Sequence, residues 1–189
     1  MKITIGGPPG TGKSTAGRKL AKILNYEFIS GGDMFRKVAA QHGMTMEEFD
    51  AYTKEHSEAR VDEEIDSYQE QLGKTKDNFV LESRLAWYFV PDSIKIKLTA
   101  SEDVRIQRIV DSKGEKRLAY KKDSYEETRR KTKEREKVHQ QRIYEIYGIK
   151  DIVADEHFDL VIDTTNLNKE EVVDAILKYL EKVKEKSGK

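Results

Sequence analysis

The stretch Lys2–Ser14, KITIGGPPGTGKS, decides how the rest of the chain is read. Its first five residues are a short β-rich run that ends in glycine. Gly7-Pro8-Pro9-Gly10-Thr11-Gly12-Lys13-Ser14 then fits the spacing G-x-x-x-x-G-K-[ST] without a gap. Lys13–Leu24 continues with helical spacing, Ala16, Leu20, Ile23 and Leu24 sharing one face. A strand before and a helix after are the context in which this spacing works as a phosphate-binding loop. The glycines permit a tight turn with inward-pointing N–H groups, and the positive end of the helix favours an anion. Gly7, Pro8, Pro9, Gly10, Thr11, Gly12, Lys13, Ser14 and Thr15 are therefore the expected cradle. Lys13 would reach the β- and γ-phosphates, and the Ser14 hydroxyl would ligate Mg²⁺. A plain glycine turn needs neither the Lys nor the Ser at these positions.

Outward from the loop, strands alternate with helices. Tyr26–Ser30 reads as the second strand, followed by a Gly-Gly-Asp turn and a helix from about Met34. Thr45–Glu48 has the spacing of a capping box, and Glu58–Leu72 is polar and helical. Asn78–Glu82 and Ile94–Leu98 are the third and fourth strands, with a helix between Ser101 and about Val110. Gly114–Asp123 reads as a polar connector, and Ser124–Glu127 as a second capping box opening a helix to about Tyr147. Phe158–Asp163 is the fifth strand, and Asn168–Glu171 caps the last helix. The expected fold is α/β: a three-layer P-loop NTPase arrangement with a five-stranded parallel sheet and a helical lid. One domain spans 1–189, with a core of 1–30, 78–112 and 143–189, a helical insert at 31–77 and a lid at 113–142.

Composition narrows the function classes. The chain has 189 residues, enough for one substantial core. Basic and acidic residues number 35 each, so the basic excess of a phosphate-neutralising nucleic-acid binder is missing. Cysteine is absent, which removes disulfides and thiolate metal sites. No apolar run is long enough for a membrane, and the first strand runs into glycines rather than a signal-peptide pattern. The expectation is a cytoplasmic protein, monomeric, with neither nucleic-acid nor membrane partners. His42, His56, His139 and His157 lack metal-ligand spacing. Trp87, Tyr88 and Phe89 read as a packing cluster rather than a base-stacking platform.

A phosphate loop does not by itself separate kinases from switches. Two later segments do more. Ser30-Gly31-Gly32-Asp33-Met34-Phe35-Arg36 places a glycine-rich turn ahead of a helix, with a cation one turn in. Glu82-Ser83-Arg84-Leu85-Ala86 sets a carboxylate and a guanidinium at the end of the third strand. Arg36 and Arg84 can hold a phosphate bidentately, which Lys does less well. Glu82 is positioned to hold a Mg²⁺-bound water or to orient an arginine. Exposed helix charge and a local salt bridge are the bland readings of these residues, but both segments fall beside the loop.

The loop, ISGGDMFR (29–36) and LESRLA (81–86) together resemble the nucleoside monophosphate kinases. Adenylate kinases carry a similar second segment but Gly-Phe-Pro-Arg after the third strand, whereas Glu-Ser-Arg-Leu-Ala is similar to the archaeal-type cytidylate kinases. RIYEIYGI (142–149) and FDLVIDT (158–164) point the same way. The resemblance implies transfer of the γ-phosphate of ATP to CMP or dCMP, phosphate contacts from Arg36 and Arg84, and acceptor-pocket roles for Ser30, Asp33 and Glu82.

The lid is expected to supply cations. Arg105 and Arg108 lie at i, i+3 on one helix face, and the helix after Ser124 is almost purely charged from Glu126 to Lys137. Lacking an apolar stripe, it suits an arm over the cleft. Arg135, His139 and Arg142 share one stripe, with Arg135 and Arg142 as catalytic candidates beside Lys13 and Arg84. Arg129, Arg130, Lys131 and Lys133 read as solvated charges. Rival readings are a kinase for AMP, UMP, shikimate or dephospho-coenzyme A, a nucleotide-dependent switch, and an RNA-binding ATPase. The absence of Asn-Lys-x-Asp counts against a GTPase switch, and neutral charge against RNA.

Overall fold

The computed structural model describes residues 1–45, 48–49, 52, 60–116, 124–186 and 188. Five strands form one parallel sheet: β1 (Lys2–Gly6), β2 (Glu27–Ser30), β3 (Phe79–Glu82), β4 (Ile94–Thr99) and β5 (Leu160–Asp163). Their order across the sheet is β2-β3-β1-β4-β5. β1 pairs with β3 on one side, Ile5 opposite Glu82, and with β4 on the other, Ile5 opposite Ile96. The helices are α1 (Lys13–Leu24), α2 (Gly31–Gln41), α3 (Arg60–Thr75), the single turn α4 (Ala86–Phe89), α5 (Glu102–Lys116), α6 (Tyr125–Tyr147) and α7 (Lys169–Lys186).

Side-chain alternation along the strands builds the layers. Ile3, Ile5, Val80, Ile96 and Leu98 face Ala16 and Leu20 of α1 and Val172, Val173 and Ile176 of α7. On the other face Phe79 and Leu81 meet Met34 of α2, Leu72 of α3 and Ala86 of α4. Each fully buried Ile or Leu contributes roughly 1.5–3 kcal/mol through apolar burial. The chain leaves β1 toward one face and the neighbouring β3 toward the other, so a crevice opens between their carboxyl ends. This is the topological switch point at which open α/β sheets bind ligands.

Several expected boundaries move. The Gly-Gly-Asp run is the first turn of α2, not a turn ahead of it. Ser30 is the N-cap, accepting from Asp33 N while the Asp33 carboxylate accepts from Ser30 N at 3.2 Å. This reciprocal pair stabilises a helix that would otherwise begin on two glycines. At Thr45 the expected box is present, with Thr45 N donating to Glu48 Oε2 at 2.7 Å. The helix it opens lies outside the described residues beyond Glu48, Phe49 and Tyr52. α5 continues past Val110 and through Gly114 to Lys116, so the connector expected from Gly114 starts later. The rest of that connector, 117–123, lies outside the described residues. Ser124 caps α6 by accepting from Glu127 N, and Gly148 ends it with a positive φ of 70°.

The charged helix is not a free arm. Charged side chains tie it to α5: Arg129 pairs with Glu102, Lys133 with Glu102 at 2.9 Å, and Glu136 with Arg105 at 2.7 Å. Arg130 and Lys131 pair with Glu134 and Glu127 on their own helix. Ion pairs thus do the packing that an apolar stripe would do. The base of α6 is anchored by Ile143, buried with Leu85 and Ile152 against Trp87, Phe89 and Tyr147. Trp87, Tyr88 and Phe89 are packing residues, with Trp87 stacked on His157 at 3.9 Å. Both edges of the proposed lid, 113 and 142, therefore fall inside helices.

Candidate active site

The loop after β1 is shaped by two glycines that nothing larger can replace. Gly7 has φ 121°, and a Cβ there would lie 2.1 Å from Leu98 O. Gly10 has φ 81°, and its Cβ would lie 2.4 Å from Arg105 O. The loop is therefore pressed against β4 and α5, and only Gly tolerates both the conformation and the contact. Thr164 fastens it from below. Its hydroxyl lies 3.1 Å from Thr11 O and 3.0 Å from Thr99 O, and accepts from Arg108 Nη1 at 2.9 Å. Arg108 Nη2 donates to Thr164 O at 2.7 Å.

Lys13 curls back over this loop, donating to Pro8 O at 2.7 Å. Burial depresses its ammonium to about 8, against the attraction of Glu82 and with the help of Arg84 and Arg105. Such a cation is poorly solvated and will bind an incoming anion strongly. Ser14 donates to Glu82 Oε2 at 3.0 Å, so the hydroxyl at the start of α1 and the carboxylate at the end of β3 meet across the crevice. Burial pushes the Glu82 carboxyl up, while Lys13 and the Ser14 hydroxyl pull it down. A hydroxyl and a carboxylate side by side form the oxygen donor set that Mg²⁺ takes, with water filling its other positions.

Arg84 lies beside them. Burial, then Arg135, then depresses its guanidinium to about 10, and it remains charged at neutral pH. Arg84 lines a cavity of about 310 Å³ with Gly7, Pro8, Pro9, Arg105 and His139. A second pocket of about 600 Å³ opens on the opposite side of the loop, among Gly12, Thr15, Arg108, Thr164 and Asn168. The loop thus stands between two spaces, one bounded by Arg84, Arg105 with its partner Glu136, and His139, and one framed by the start of α7.

The expected residues divide accordingly. Lys13, Ser14, Glu82 and Arg84 come together, Arg135 on α6 lies beside Arg84, and burial followed by Arg84, Arg142 and Arg135 depresses His139 between them. Arg36 stands apart, its guanidinium exposed and paired with Asp33. Ser30 and Asp33 serve each other as a cap: Asp33 also accepts from the Ser30 hydroxyl at 2.6 Å, the main cause of its lowered pKa. Thr164 and Glu136 were not singled out in sequence, and Arg108, grouped with Arg105 among the expected lid cations, instead holds Thr164. The only signals in sequence were the polar end of FDLVIDT and the Arg105/Arg108 spacing.

Comparison with known proteins follows the same lines. Residues 2–166 match the model of the cytidylate kinase-like family. The cytidylate kinase of Archaeoglobus fulgidus is 37% identical over 182 residues, covering 96% of this chain and 95% of that protein. That of Methanococcoides burtonii is 35% identical, covering 96% and 97%. Among solved structures, a shikimate kinase from Bacteroides thetaiotaomicron superposes with a TM-score of 0.62 at 17% identity, over 96% of this chain and 98% of that one. That likeness concerns the fold. The matches in sequence extend over the loop, the LESRLA segment and α6 alike, and the chain belongs to the cytidylate kinase-like family.

Proposed function

We propose that this protein is an ATP-dependent kinase that phosphorylates CMP, and dCMP, to the diphosphate. The observation that carries the reading is the meeting of Lys13, Ser14, Glu82 and Arg84 beside the two spaces that flank the loop. The donor nucleotide lies in the larger pocket, its base between Arg108 and the start of α7. Its phosphates run over Gly7–Thr15 toward Lys13. Arg84 holds the acceptor phosphate, joined by Arg36 once that guanidinium leaves Asp33. Ser30 and Asp33 fix the start of α2 and so the place from which Arg36 reaches. Arg135 and Arg142 close over the phosphoryl group in transit.

Ser14, with Glu82 beside it, would hold the Mg²⁺ that accompanies ATP, and the ion would supply positive charge against the donor phosphates. Every other contribution comes from placing cations and excluding water, since direct in-line transfer requires no covalent intermediate. The core, insert (31–77) and lid (113–142) then correspond to donor site, acceptor site and closing element. We take the protein to act as a cytoplasmic monomer on small nucleotides. Cytosine as the acceptor base rests on the relatives. No helix among the described residues is long and apolar enough to cross a membrane.

The test is an acceptor panel of CMP, dCMP, UMP, AMP and shikimate, assayed for ADP release with ATP and Mg²⁺. CMP and dCMP should give the highest kcat/KM. A higher value for AMP or shikimate would overturn the assignment of acceptor while leaving the phosphotransferase chemistry intact.

A further inference from the structure

His139 sits on α6 one turn after Arg135 and one turn before Arg142, and its ring lines the same 310 Å³ cavity as Gly7, Pro8, Pro9 and Arg84. Its Nδ1 is buried and has no hydrogen-bond partner among the described residues. A buried ring nitrogen left unmatched is costly, so its retention calls for an explanation such as a ligand or a catalytic role. The surroundings indicate what that ligand would be. Arg84 arrives from the end of β3, Arg135 and Arg142 from α6 itself, and Arg105 with its partner Glu136 from the far wall. Arg84 shares the cavity wall with the imidazole, and Arg135 and Arg142 add their positive charge to it from α6, so the site favours an anion and has no use for a further cation.

Resting on the kinase reading, we infer that His139 is a further catalytic residue, a neutral hydrogen-bond donor whose Nδ1–H binds an oxygen of the phosphoryl group in transit. The location supports the transferring group over the resting phosphates. The cavity floor is Gly7–Pro9, whose Pro8 carbonyl holds Lys13, whereas the donor pocket opens on the other side of the loop. Burial first, then Arg84, Arg142 and Arg135, holds the imidazole at about 3, so it can donate as the neutral ring without adding to the crowd of positive charge. No proton changes hands. The ring keeps its proton and offers a dipole to charge that develops on an equatorial oxygen, as preorganised donors do in other transfer sites.

The experiment exploits the geometry of side-chain amides. Asn places an N–H donor near the position of His Nδ1, and Gln near that of Nε2. His139→Asn, His139→Gln and His139→Ala are compared for kcat, for separate dissociation constants of ATP and CMP, and for Tm. The expected result is a fall in kcat of about tenfold or more for the Ala and Gln variants, as for loss of one preorganised donor. The Asn variant should stay within about threefold of the parent, and both dissociation constants within about twofold in all three. Asn no better than Gln overturns the inference, as does unchanged kcat in the Ala variant. Loss of CMP affinity equal to the loss in kcat would make His139 a resting-state contact and would overturn it too. Failure of the kinase reading would appear differently, as a parent enzyme that transfers no phosphate to CMP.

Discussion

Replacing Lys13 with Met should make the protein more stable and almost inactive. The ammonium has an ordinary value of 10.5 and is held at about 8 in the fold. At 1.36 kcal/mol per pH unit, that gap corresponds to about 3 kcal/mol of folding free energy. Lys13 is not wholly enclosed, so solvent reduces the figure to roughly 1–3 kcal/mol. The sign follows from which state holds the proton more tightly. The unfolded chain does, so the penalty is complete below about pH 8, fades as pH rises to 10.5, and is absent above. Met removes the titrating group and leaves Pro8 O without its donor, a cost that does not depend on pH. Urea unfolding of parent and K13M at pH 7 and at pH 10 isolates the charge: the variant's advantage should be larger at pH 7 by about 1–3 kcal/mol. Activity at pH 7.5 should fall by about 10²-fold or more. An advantage that is equal at both pH values, or larger at pH 10, refutes the burial argument. Near-normal kcat refutes the assigned role.

Related tests probe the neighbours. ATP affinity of the parent should weaken as pH rises through about 8, approaching a tenfold change per unit, because the binding form of Lys13 is the protonated one; calorimetric titration between pH 7 and 9 would read it. Arg84→Lys should recover only part of the activity lost in Arg84→Ala, since an ammonium lacks the planar fork. Neither change should weaken ATP binding measured without CMP as much as it weakens CMP binding. Thr164→Val keeps the shape but leaves Thr11 O and Arg108 with one partner fewer. It should cost about 1–3 kcal/mol, with about 2–4 °C of Tm per kcal/mol in a domain of this size, and should loosen ATP binding. A Tm within 1 °C or so of the parent would mean the clamp contributes little.

The sheet was readable because its signals were local. KITIG running into GPPGTGKS fixes a strand, a loop and a helix by spacing and glycine chemistry, and the alternation that follows dictates parallel strands. The joint position of Glu82 and Arg84 was also readable, since strand ends share one edge in such a sheet. The start of α2 was misread because Gly31-Gly32 opposes helix by propensity, and only the reciprocal Ser30–Asp33 cap outweighs it. The packing of α6 was missed for a different reason. Its charged face gives no hydrophobic period, yet Glu102 and Arg105 on α5 supply complementary charge from 27 and 31 residues away. Thr164 was invisible as a loop anchor because its partner Thr11 lies 153 residues earlier. Contacts at that separation leave no pattern in a single sequence.

If this loop and these cations carry a phosphoryl group from ATP to the 5′-phosphate of CMP, the fate of the γ-phosphate reveals it. The direct measurement is an incubation with Mg²⁺, CMP and ATP labelled in the γ-phosphate, with every labelled product separated and counted. The label should appear in the β-phosphate of CDP in a one-to-one ratio with ADP. Label released mainly as inorganic phosphate at a rate indifferent to CMP would contradict it, and would mark the protein as a nucleotide hydrolase.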